Sequence, residues 1–388
     1  MSLSVNDTPL VTAATALAPI IIRDAAAIES ERRLTEDVLA GLHGMSAFTL
    51  QLARRFGGAE ADPLTHLRVV DALSRADASV GWCAMVGSES SACIGSYFEP
   101  AVIEAMLGDN PRAAATLTVV GTGRAHVREG GYEIEGRWRF ASGCRHATWL
   151  GGLCVVCENG EPRMTAAGRP ELTLAFAPAS AATLIDTWHT SGLKGTASDD
   201  FEFAPTFVPG ERTLDIFGPP RDPAPLWRIP VGLRFAMSKA AAVCGMARGA
   251  MDALNPLLDR SPFAGTRPAR EEPRVHLKLA RAEGAIEGAR AYLYRNVEEA
   301  CARVRSGANL TIPEVANVRL AVVCAAHQAI EAMQLIQSLG GTGAALDPRL
   351  DRAVRDLNVA QHHMQLQDHV VEDVGRVLAG LAPQNPMF

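Results

Sequence analysis

The chain of 388 residues has no excess of positive charge, no secretory leader pattern and no regular cysteine framework. Its formal net charge of -6 argues against nucleic acid or an anionic membrane surface as the main partner. The first residues lack a basic segment followed by an apolar core and a cleavage site, and no apolar run reaches membrane-spanning length. We therefore expect a soluble protein that is not exported and binds neither nucleic acid nor membrane.

The eight cysteines are not spaced like a disulfide framework. Cys83, Cys244 and Cys301 stand in apolar helical stretches, where a free thiol packs as a small hydrophobic group. Cys154 and Cys157 have C-x-x-C spacing but lie in a strand-like run, where residues three apart point to opposite faces. These features predict a reducing, cytoplasmic compartment and no metal or redox role for that pair.

Motifs for dinucleotides, nucleotide phosphates and zinc are also missing. The Gly-rich stretch at residues 121–125 falls between two β-like runs, which is the wrong context for a dinucleotide fingerprint. No Walker loop, His-Glu-x-x-His or zinc-ligand spacing appears. We expect no metal site.

Hydrophobic periodicity divides the chain into three predicted domains. Residues 1–112 show helical spacing of apolar residues, whereas residues 113–222 alternate polar and apolar residues between Gly, Pro and Asp clusters. The second pattern is typical of an antiparallel β domain. The Pro-rich stretch at 217–225 breaks regular structure and marks the boundary to residues 223–388.

The last part predicts a helical bundle. Thr311 and Glu314 form a capping-box pattern, and Gly340 to Gly343 form a stop signal. Four long helices with short connections make an antiparallel four-helix bundle, so the predicted class is α+β. The four helical patterns run over residues 231–258, 271–305, 312–339 and 349–380.

One stretch predicts close contact with a flat ligand. Two alternating runs flank Gly130-Gly131, the pattern of a hairpin, and the second run leads into Ala141-Ser142-Gly143. At such a corner a Ser hydroxyl and nearby backbone amides can approach a ligand, because Gly143 has no side chain. An ordinary turn capped by Ser142 is the alternative.

The pattern Trp-x-Phe-x-Ser-Gly-x-x-His-Ala-x-Trp, residues 138–149, resembles the flavin-facing corner of the acyl-CoA dehydrogenase superfamily. It is most similar to the flavin-dependent monooxygenase branch, the oxygenase components of two-component hydroxylases. Residues 188–199 resemble the second signature, a loop and strand that close over the cofactor. The resemblance covers essentially the whole chain. It implies an N-terminal helical domain, a middle β domain and a C-terminal four-helix bundle.

The same resemblance implies the residues around the cofactor, reduced FMN or FAD. Ser142 matches the hydrogen-bond partner of flavin N5. Trp82, Ser90 and His146 are the candidates on the substrate side. Ser90 stands where phenol hydroxylases carry a His that contacts the substrate, so either the substrate is not a phenol or the helix register differs and Glu89 takes part instead. Gln334 and the Gly340-Gly341 turn match the contact from a neighbouring subunit, which implies a homotetramer or a homodimer. The further cofactor positions are Phe140, Gly143, Trp188, Lys194 and Ser198; Trp138 and Phe140 can instead be core.

The last helical pattern separates two enzyme classes. Nine residues after Arg355, where acyl-CoA dehydrogenases of this type carry a Glu base, this chain has Met364, which cannot accept a proton. Met364 also continues a seven-residue apolar seam, typical of bundle packing. The adjacent His363 matches the His that faces flavin and oxygen in the monooxygenases, a task suited to an imidazole that titrates near neutrality.

The resemblance therefore implies an oxygenase component that uses reduced flavin and O2, through a flavin hydroperoxide, to oxygenate a small organic substrate. Since no reductase motif is present, a separate flavin reductase is implied as partner. One alternative is an acyl-CoA or carrier-bound acyl dehydrogenase whose base has moved to Glu283 or Glu287. Another is a flavin-free binding or assembly subunit.

Overall fold

The computed structural model describes residues 8–108, 110–260, 267–384 and 388. Helices precede and follow a central sheet, in an α+β arrangement. The helices are α1 (Pro9–Glu31), α2 (Glu36–Gly44), α3 (Pro63–Ala76), α4 (Ala78–Tyr97), α5 (Pro100–Ile103), α6 (Val231–Leu254), α7 (Pro273–Arg305), α8 (Ile312–Gly340), α9 (Thr342–Leu346), α10 (Pro348–Ala360) and α11 (His369–Leu378). The strands are β1 (Ala115–Arg128), β2 (Gly131–Trp138), β3 (Trp149–Glu158), β4 (Glu161–Pro162), β5 (Leu172–Pro178), β6 (Thr183–Ile185), β7 (Asp200–Pro209) and β8 (Thr213–Leu214).

The sheet is mixed, which corrects the expectation of a purely antiparallel domain. Its order is β6-β7-β2-β1-β3-β5-β8, with β4 beside β3. The predicted hairpin is present, because Arg128 pairs with Gly131 across the Gly-Gly turn. After β2 the chain reverses again and adds β3 to the free edge of β1, so those two strands run parallel. The segment that makes this second reversal is the Ser142 corner.

The N-terminal helices and the C-terminal bundle share a core. Buried side chains of α3 and α4, among them Leu67, Val70 and Trp82, belong to the same apolar cluster as α6, α7 and α8. The capping box that opens α8 is formed, and the helix ends at Gly340 as predicted. The boundaries of the three proposed domains stay a prediction.

The fourth long helix is interrupted, contrary to the expectation of one helix over residues 349–380. α10 ends at Ala360, a 3-10 turn spans Met364–Leu366, and α11 begins at His369. The seam holds through Leu350 and Leu357, which are buried, and then fails, because Met364 is 51% exposed. The break brings Leu366 into the core instead, so Met364 is not a packing residue.

Helix α1 corrects another expectation. It is long and apolar enough to cross a membrane by length and composition alone, so the chain does contain one such stretch. Its residues at helical spacing, including Val11, Ala14, Leu17 and Ile21, are buried in a cluster shared with α2 and α3. Burial of one face is typical of a core helix.

A buried ion pair joins α4 to α6. Lys239 Nζ lies 2.5 Å from Glu89 Oε2, and both side chains are only 6% exposed. Ser238 donates a further hydrogen bond to Glu89. Arg234, also buried, stacks on the ring of Trp227 in the same region. An ionised carboxylate without its ammonium partner is costly in such a place.

We therefore expect Lys239→Met to lower the free energy of unfolding by about 3–5 kcal/mol, because Glu89 loses its counter-charge. The double variant Glu89→Gln with Lys239→Met should recover part of this loss, since no buried charge is then left unpaired. Urea unfolding followed by circular dichroism measures both. Equal losses in the single and double variants would contradict this account.

Candidate functional site

The two motifs that the sequence singles out lie against each other. We call residues 139–148 the corner segment and residues 186–199 the closing loop. Backbone N–H groups of Ala141 and Gly143 donate to the carbonyls of Asp199 and Thr196, at 3.1 and 2.8 Å. The Cys144 thiol donates to the carbonyl of Ala197 at 3.3 Å. The corner between β2 and β3 is thus held by the loop that leads into β7.

Backbone strain is concentrated at this junction. Phe140, Leu193 and Ala197 all have positive φ, of 62°, 51° and 43°. Left-handed backbone at non-glycine residues costs roughly 1–3 kcal/mol each and is typical of functional sites. Gly143 has φ 80°, and a Cβ there would lie 3.0 Å from the His146 ring. The backbone is therefore held in a shape that larger residues at position 143 would distort.

Ser142 lies at the centre of a buried polar cluster. Its Oγ accepts a hydrogen bond from Trp82 Nε1 at 3.2 Å and lies 2.7 Å from Ser198 Oγ. Thr196 Oγ1 is 2.7 Å from the other side of Ser198 Oγ. The Thr116 hydroxyl donates to the carbonyl of Ser142 at 2.8 Å and fixes its backbone. Trp82 on α4 and Ser142 in the sheet domain are thereby joined.

His363 belongs to the same group. Its ring meets that of Trp82 edge-on, with centroids 5.6 Å apart. The break after α10 produces this contact, because His363 precedes the 3-10 turn and its Nδ1 accepts from the backbone N–H of Gln365 at 3.3 Å. In the neutral ring the proton therefore lies on Nε2, which is a donor.

The ionisation of His363 differs from the sequence-based expectation. Burial, aided by the positive charge of Lys239, lowers the pKa of His363 to about 3. The imidazole is therefore neutral at physiological pH, and it does not titrate near neutrality as we expected. Its available chemistry is hydrogen bonding through Nε2–H rather than exchange of a charge.

Two aromatic residues near Ser142 have different environments. Trp138 is fully buried, stacks on Phe201 and belongs to the core of the sheet, as one interpretation of the sequence predicted. Phe140 is 55% exposed, so the prediction that it is core is wrong. Its ring lies edge-on to that of Trp188, with centroids 6.2 Å apart. Phe140 and Trp188 leave apolar surface beside the corner.

The substrate-side candidates are also placed. Ser90 is buried, donates to the Val86 carbonyl at 2.8 Å and accepts from Leu117 N–H at 3.0 Å, so its hydroxyl joins α4 to β1. Glu89, the alternative to Ser90, is ion-paired with Lys239. His146 packs against Phe48, with centroids 5.1 Å apart, and burial lowers its pKa to about 4.

A basic cleft of about 650 Å³ adjoins the closing loop. Lys194, Arg32 and Arg352 line it together with Glu29. Burial acts to raise the pKa of Glu29, but hydrogen bonds from Arg355 and Arg352 lower it to about 2, so it is ionised. These four charged lining residues are three cations and one carboxylate, so their summed charge is positive. Ser198, predicted alongside Lys194, is buried behind Ser142 instead.

The remaining sequence candidates lie outside this cluster. Gln334 is exposed on α8, and Gly340 and Gly341 form the end of that helix, where Gly341 has φ 52°. None of the three makes a hydrogen bond to the Ser142 cluster. Glu283 and Glu287 are ion-paired with Arg248 at 2.7 and 2.6 Å, with their side chains 52% and 40% exposed. Neither lies among the contacts of Ser142, Trp82 or His363.

Several residues of the site were given no role from the sequence, although Arg355-Asp356 was recognised as a pair that resembles one in the superfamily. Thr196 stands within the second signature, so its place in that motif was a usable signal. Asp356 accepts a hydrogen bond from the backbone N–H of Leu193 at 2.6 Å, and Gly192 leaves room for the Arg355 carbonyl, where a Cβ would come within 2.1 Å. The Arg-Asp pair of α10 thus holds the closing loop. Lys239 has no motif around it.

Within the described ranges, no group of three or more His, Cys, Asp or Glu side chains is placed to hold a metal ion.

The low pKa of His363 gives a direct prediction. Its imidazole NMR signals, assigned by their loss in His363→Gln, should stay at neutral-ring positions from pH 8 to pH 5, because burial keeps the ring uncharged.

In acid, His363 should lower the free energy of unfolding, because the imidazole takes up a proton in the unfolded chain but not in the folded one. Its folded pKa is below the ordinary value, so its stabilising contribution is complete above about pH 6.5 and is lost as the pH falls. From pH 7 to 5 the loss of wild-type stability should exceed that of His363→Gln by roughly 1–2 kcal/mol. A midpoint near neutrality in the NMR titration would contradict both expectations.

Comparisons with known proteins agree with this architecture. Residues 11–105 match the family model described as acyl-CoA dehydrogenase, N-terminal domain, and residues 237–368 match acyl-CoA dehydrogenase, C-terminal domain. Indole-3-acetate monooxygenase of Pseudomonas putida is 28% identical over 372 residues, covering 93% of this chain and 92% of that protein. The oxygenase component of the FADH2-dependent resorcinol hydroxylase of Rhizobium sp. is 28% identical over 376 residues, with 92% and 90% covered.

Solved structures give the same result. The crystal structure of 3-HSA hydroxylase from Rhodococcus sp. RHA1 superimposes with a TM-score of 0.88 at 25% identity, and covers 99% of this chain and 100% of that chain. The two family models and these full-length matches show that the chain belongs to the acyl-CoA dehydrogenase family of oxidoreductases, with homologues that are monooxygenases and hydroxylases.

Proposed function

We propose that this chain is the oxygenase component of a two-component flavin-dependent monooxygenase, which uses reduced FMN or FAD and O2 to oxygenate a small organic substrate. The observation that carries the proposal is the Ser142 corner. A buried hydroxyl with a free lone pair stands beside Gly143 and the half-exposed Phe140, on a strained backbone held from behind. A flat, heteroatom-bearing ring fits such a surface.

The residues present fit a flavin in two further ways. Phe140 and Trp188 offer apolar surface for the ring, whereas Lys194, Arg32 and Arg352 in the adjoining cleft suit the phosphate end of the same molecule. Bound reduced flavin supplies two electrons for the activation of O2. The protein would orient the ring through Ser142 and keep water away from it with Trp82 and the other buried groups.

His363 would act as a neutral donor on the substrate side. Its Nε2–H can hold a substrate oxygen in place without carrying charge into a buried site. Burial, aided by the charge of Lys239, keeps the ring neutral, and Trp82 contacts it edge-on. Indole-3-acetate and resorcinol, which relatives are named for, are suitable first probes because both are small aromatic molecules.

Dehydrogenation of an acyl thioester has less support. Met364 stands at the position of the usual base, is half exposed and cannot accept a proton. Glu283 and Glu287, the relocated bases that we considered, are each held by Arg248. A chain that takes up neither oxidised nor reduced flavin would instead be a binding or assembly subunit.

Replacing Ser142 provides the first test of this function. Ser142→Ala should weaken binding of reduced FMN or FAD roughly fivefold to tenfold, the value of one hydrogen bond. It should also send more of the electrons from reduced flavin into free hydrogen peroxide, because the ring is less well positioned. Anaerobic titration and a peroxide assay after mixing with O2 measure the two effects.

Ser142→Thr is the matched control, since it keeps the hydroxyl. The probes should yield oxygenated product carrying one atom from labelled O2 in the wild type. Bleaching of bound oxidised flavin by an acyl thioester, with no consumption of O2, would instead identify a dehydrogenase.

The chain would also need other proteins. We propose a separate flavin reductase as electron source and a homotetramer, or a homodimer, as the assembled form. Exposed apolar side chains on the C-terminal helices support assembly, among them Leu277, Ile312, Leu346 and Leu378. A cytoplasmic location is proposed as well, consistent with eight free thiols.

Gln334→Ala tests the role of the neighbouring subunit. Gln334 is exposed on the single chain, so the substitution should change the free energy of unfolding of the protomer by no more than about 0.5 kcal/mol. If Gln334 reaches the cofactor of a second subunit, flavin affinity should nevertheless fall several-fold. Light scattering gives the assembly state. A monomer with full flavin affinity would exclude this role.

A further inference from the structure

Four side chains and one carbonyl form a continuous row of hydrogen bonds behind the Ser142 corner. The row runs from Trp82 Nε1 to Ser142 Oγ at 3.2 Å, to Ser198 Oγ at 2.7 Å, and to Thr196 Oγ1 at 2.7 Å. Thr196 Oγ1 then donates to the Leu193 carbonyl at 2.7 Å. Ser142, Ser198 and Thr196 are 6%, 4% and 1% exposed, so water does not compete within the row.

The direction of this row is fixed at both ends. A carbonyl oxygen only accepts, so the Thr196 hydroxyl proton points to Leu193. Thr196 Oγ1 must then accept from Ser198, and Ser198 Oγ must accept from Ser142. At the other end the indole N–H of Trp82 only donates. The Ser142 hydroxyl therefore donates its proton to Ser198 Oγ. The remaining lone pair of Ser142 Oγ can only accept a hydrogen bond.

The loop that ends the row is itself held in place. The backbone N–H of Leu193 donates to Asp356 Oδ1 at 2.6 Å, and Trp188 Nε1 donates to the Leu193 carbonyl at 2.8 Å. The Leu193 carbonyl therefore cannot rotate away from Thr196 without losing its bond from Trp188. The carbonyl thus stays aimed at Thr196.

We propose that Ser198 and Thr196 are positioning residues that make Ser142 an obligatory acceptor, so that the site favours reduced over oxidised flavin. This inference rests on the proposed function. Reduced flavin carries a hydrogen on N5, which can donate to Ser142, whereas N5 of oxidised flavin has only a lone pair. Two lone pairs facing each other leave a buried acceptor unsatisfied.

The expected preference is about tenfold or more in favour of the reduced form, the effect of one mismatched buried hydrogen bond. A tenfold preference raises the two-electron potential of bound flavin by about 30 mV. Such a preference suits a protein that receives its flavin already reduced, because spent oxidised flavin is released in exchange.

Anaerobic titrations of the intact protein with oxidised and dithionite-reduced FMN and FAD test this directly. We expect the ratio of the two dissociation constants to fall towards unity in Thr196→Val and in Ser198→Ala, because the Ser142 proton can then turn towards oxidised N5. Thr196→Ser should restore the wild-type ratio, since it keeps the hydroxyl. Thr173→Val is the matched control: it removes a buried threonine hydroxyl that donates to the Leu214 carbonyl, outside the row, so the ratio should not change.

A second measurement needs no substitution. Oxidised 5-deaza-FMN carries a C–H group in place of N5, so it should bind the wild type several-fold more tightly than oxidised FMN. Equal binding of these two, or a ratio that Thr196→Val and Ser198→Ala leave unchanged, would overturn the inference.

The two proposals fail in different ways. Wild-type protein that binds oxidised and reduced flavin equally would overturn the role of the row while leaving the monooxygenase proposal standing. Protein that binds neither form would overturn both.

Discussion

The hydrogen bonds between the corner segment and the closing loop are the constraint on which the rest of the site depends. Backbone bonds from Ala141 and Gly143 set the two segments side by side, and the Ser142 and Ser198 hydroxyls join them in the interior. The strained backbone at Phe140, Leu193 and Ala197 persists because these contacts offset its cost. Without them the reversal between β2 and β3 would relax.

Helical parts of the fold hold this junction from two sides. Trp82 of α4 reaches Ser142 from the N-terminal helices, and Asp356 of α10 reaches Leu193 from the C-terminal bundle. Asp356 lies near Asp77, the N-cap of α4. Burial raises the pKa of Asp356, and the neighbouring Asp77 carboxyl raises it further. Burial likewise raises the pKa of Asp77, so two buried carboxyls with raised pKa values lie at this junction. The site is therefore assembled from three parts of the chain.

Burial also decides the chemistry available to the imidazoles. His363, His146 and His66 all have pKa values lowered by burial, and Lys239 contributes at His363 and His66. All three rings are therefore neutral at physiological pH. Under the proposed function, the neutral His363 ring would position a substrate oxygen without adding charge to a buried site.

The sequence by itself determined the order of helices, sheet and bundle, the hairpin at Gly130-Gly131, the capping box at Thr311 and the chain reversal at Ser142, because these depend on local periodicity and turn chemistry. It also indicated the family through motifs whose residues are contiguous. Only the tertiary structure decided that β1 and β3 are parallel, that the last helix breaks before His363, and that Met364 is exposed. The pKa of His363, the partners of Ser90 and Glu89 and the row through Thr196 were likewise set by segments distant in sequence, since burial and hydrogen-bond direction arise only when those segments pack together.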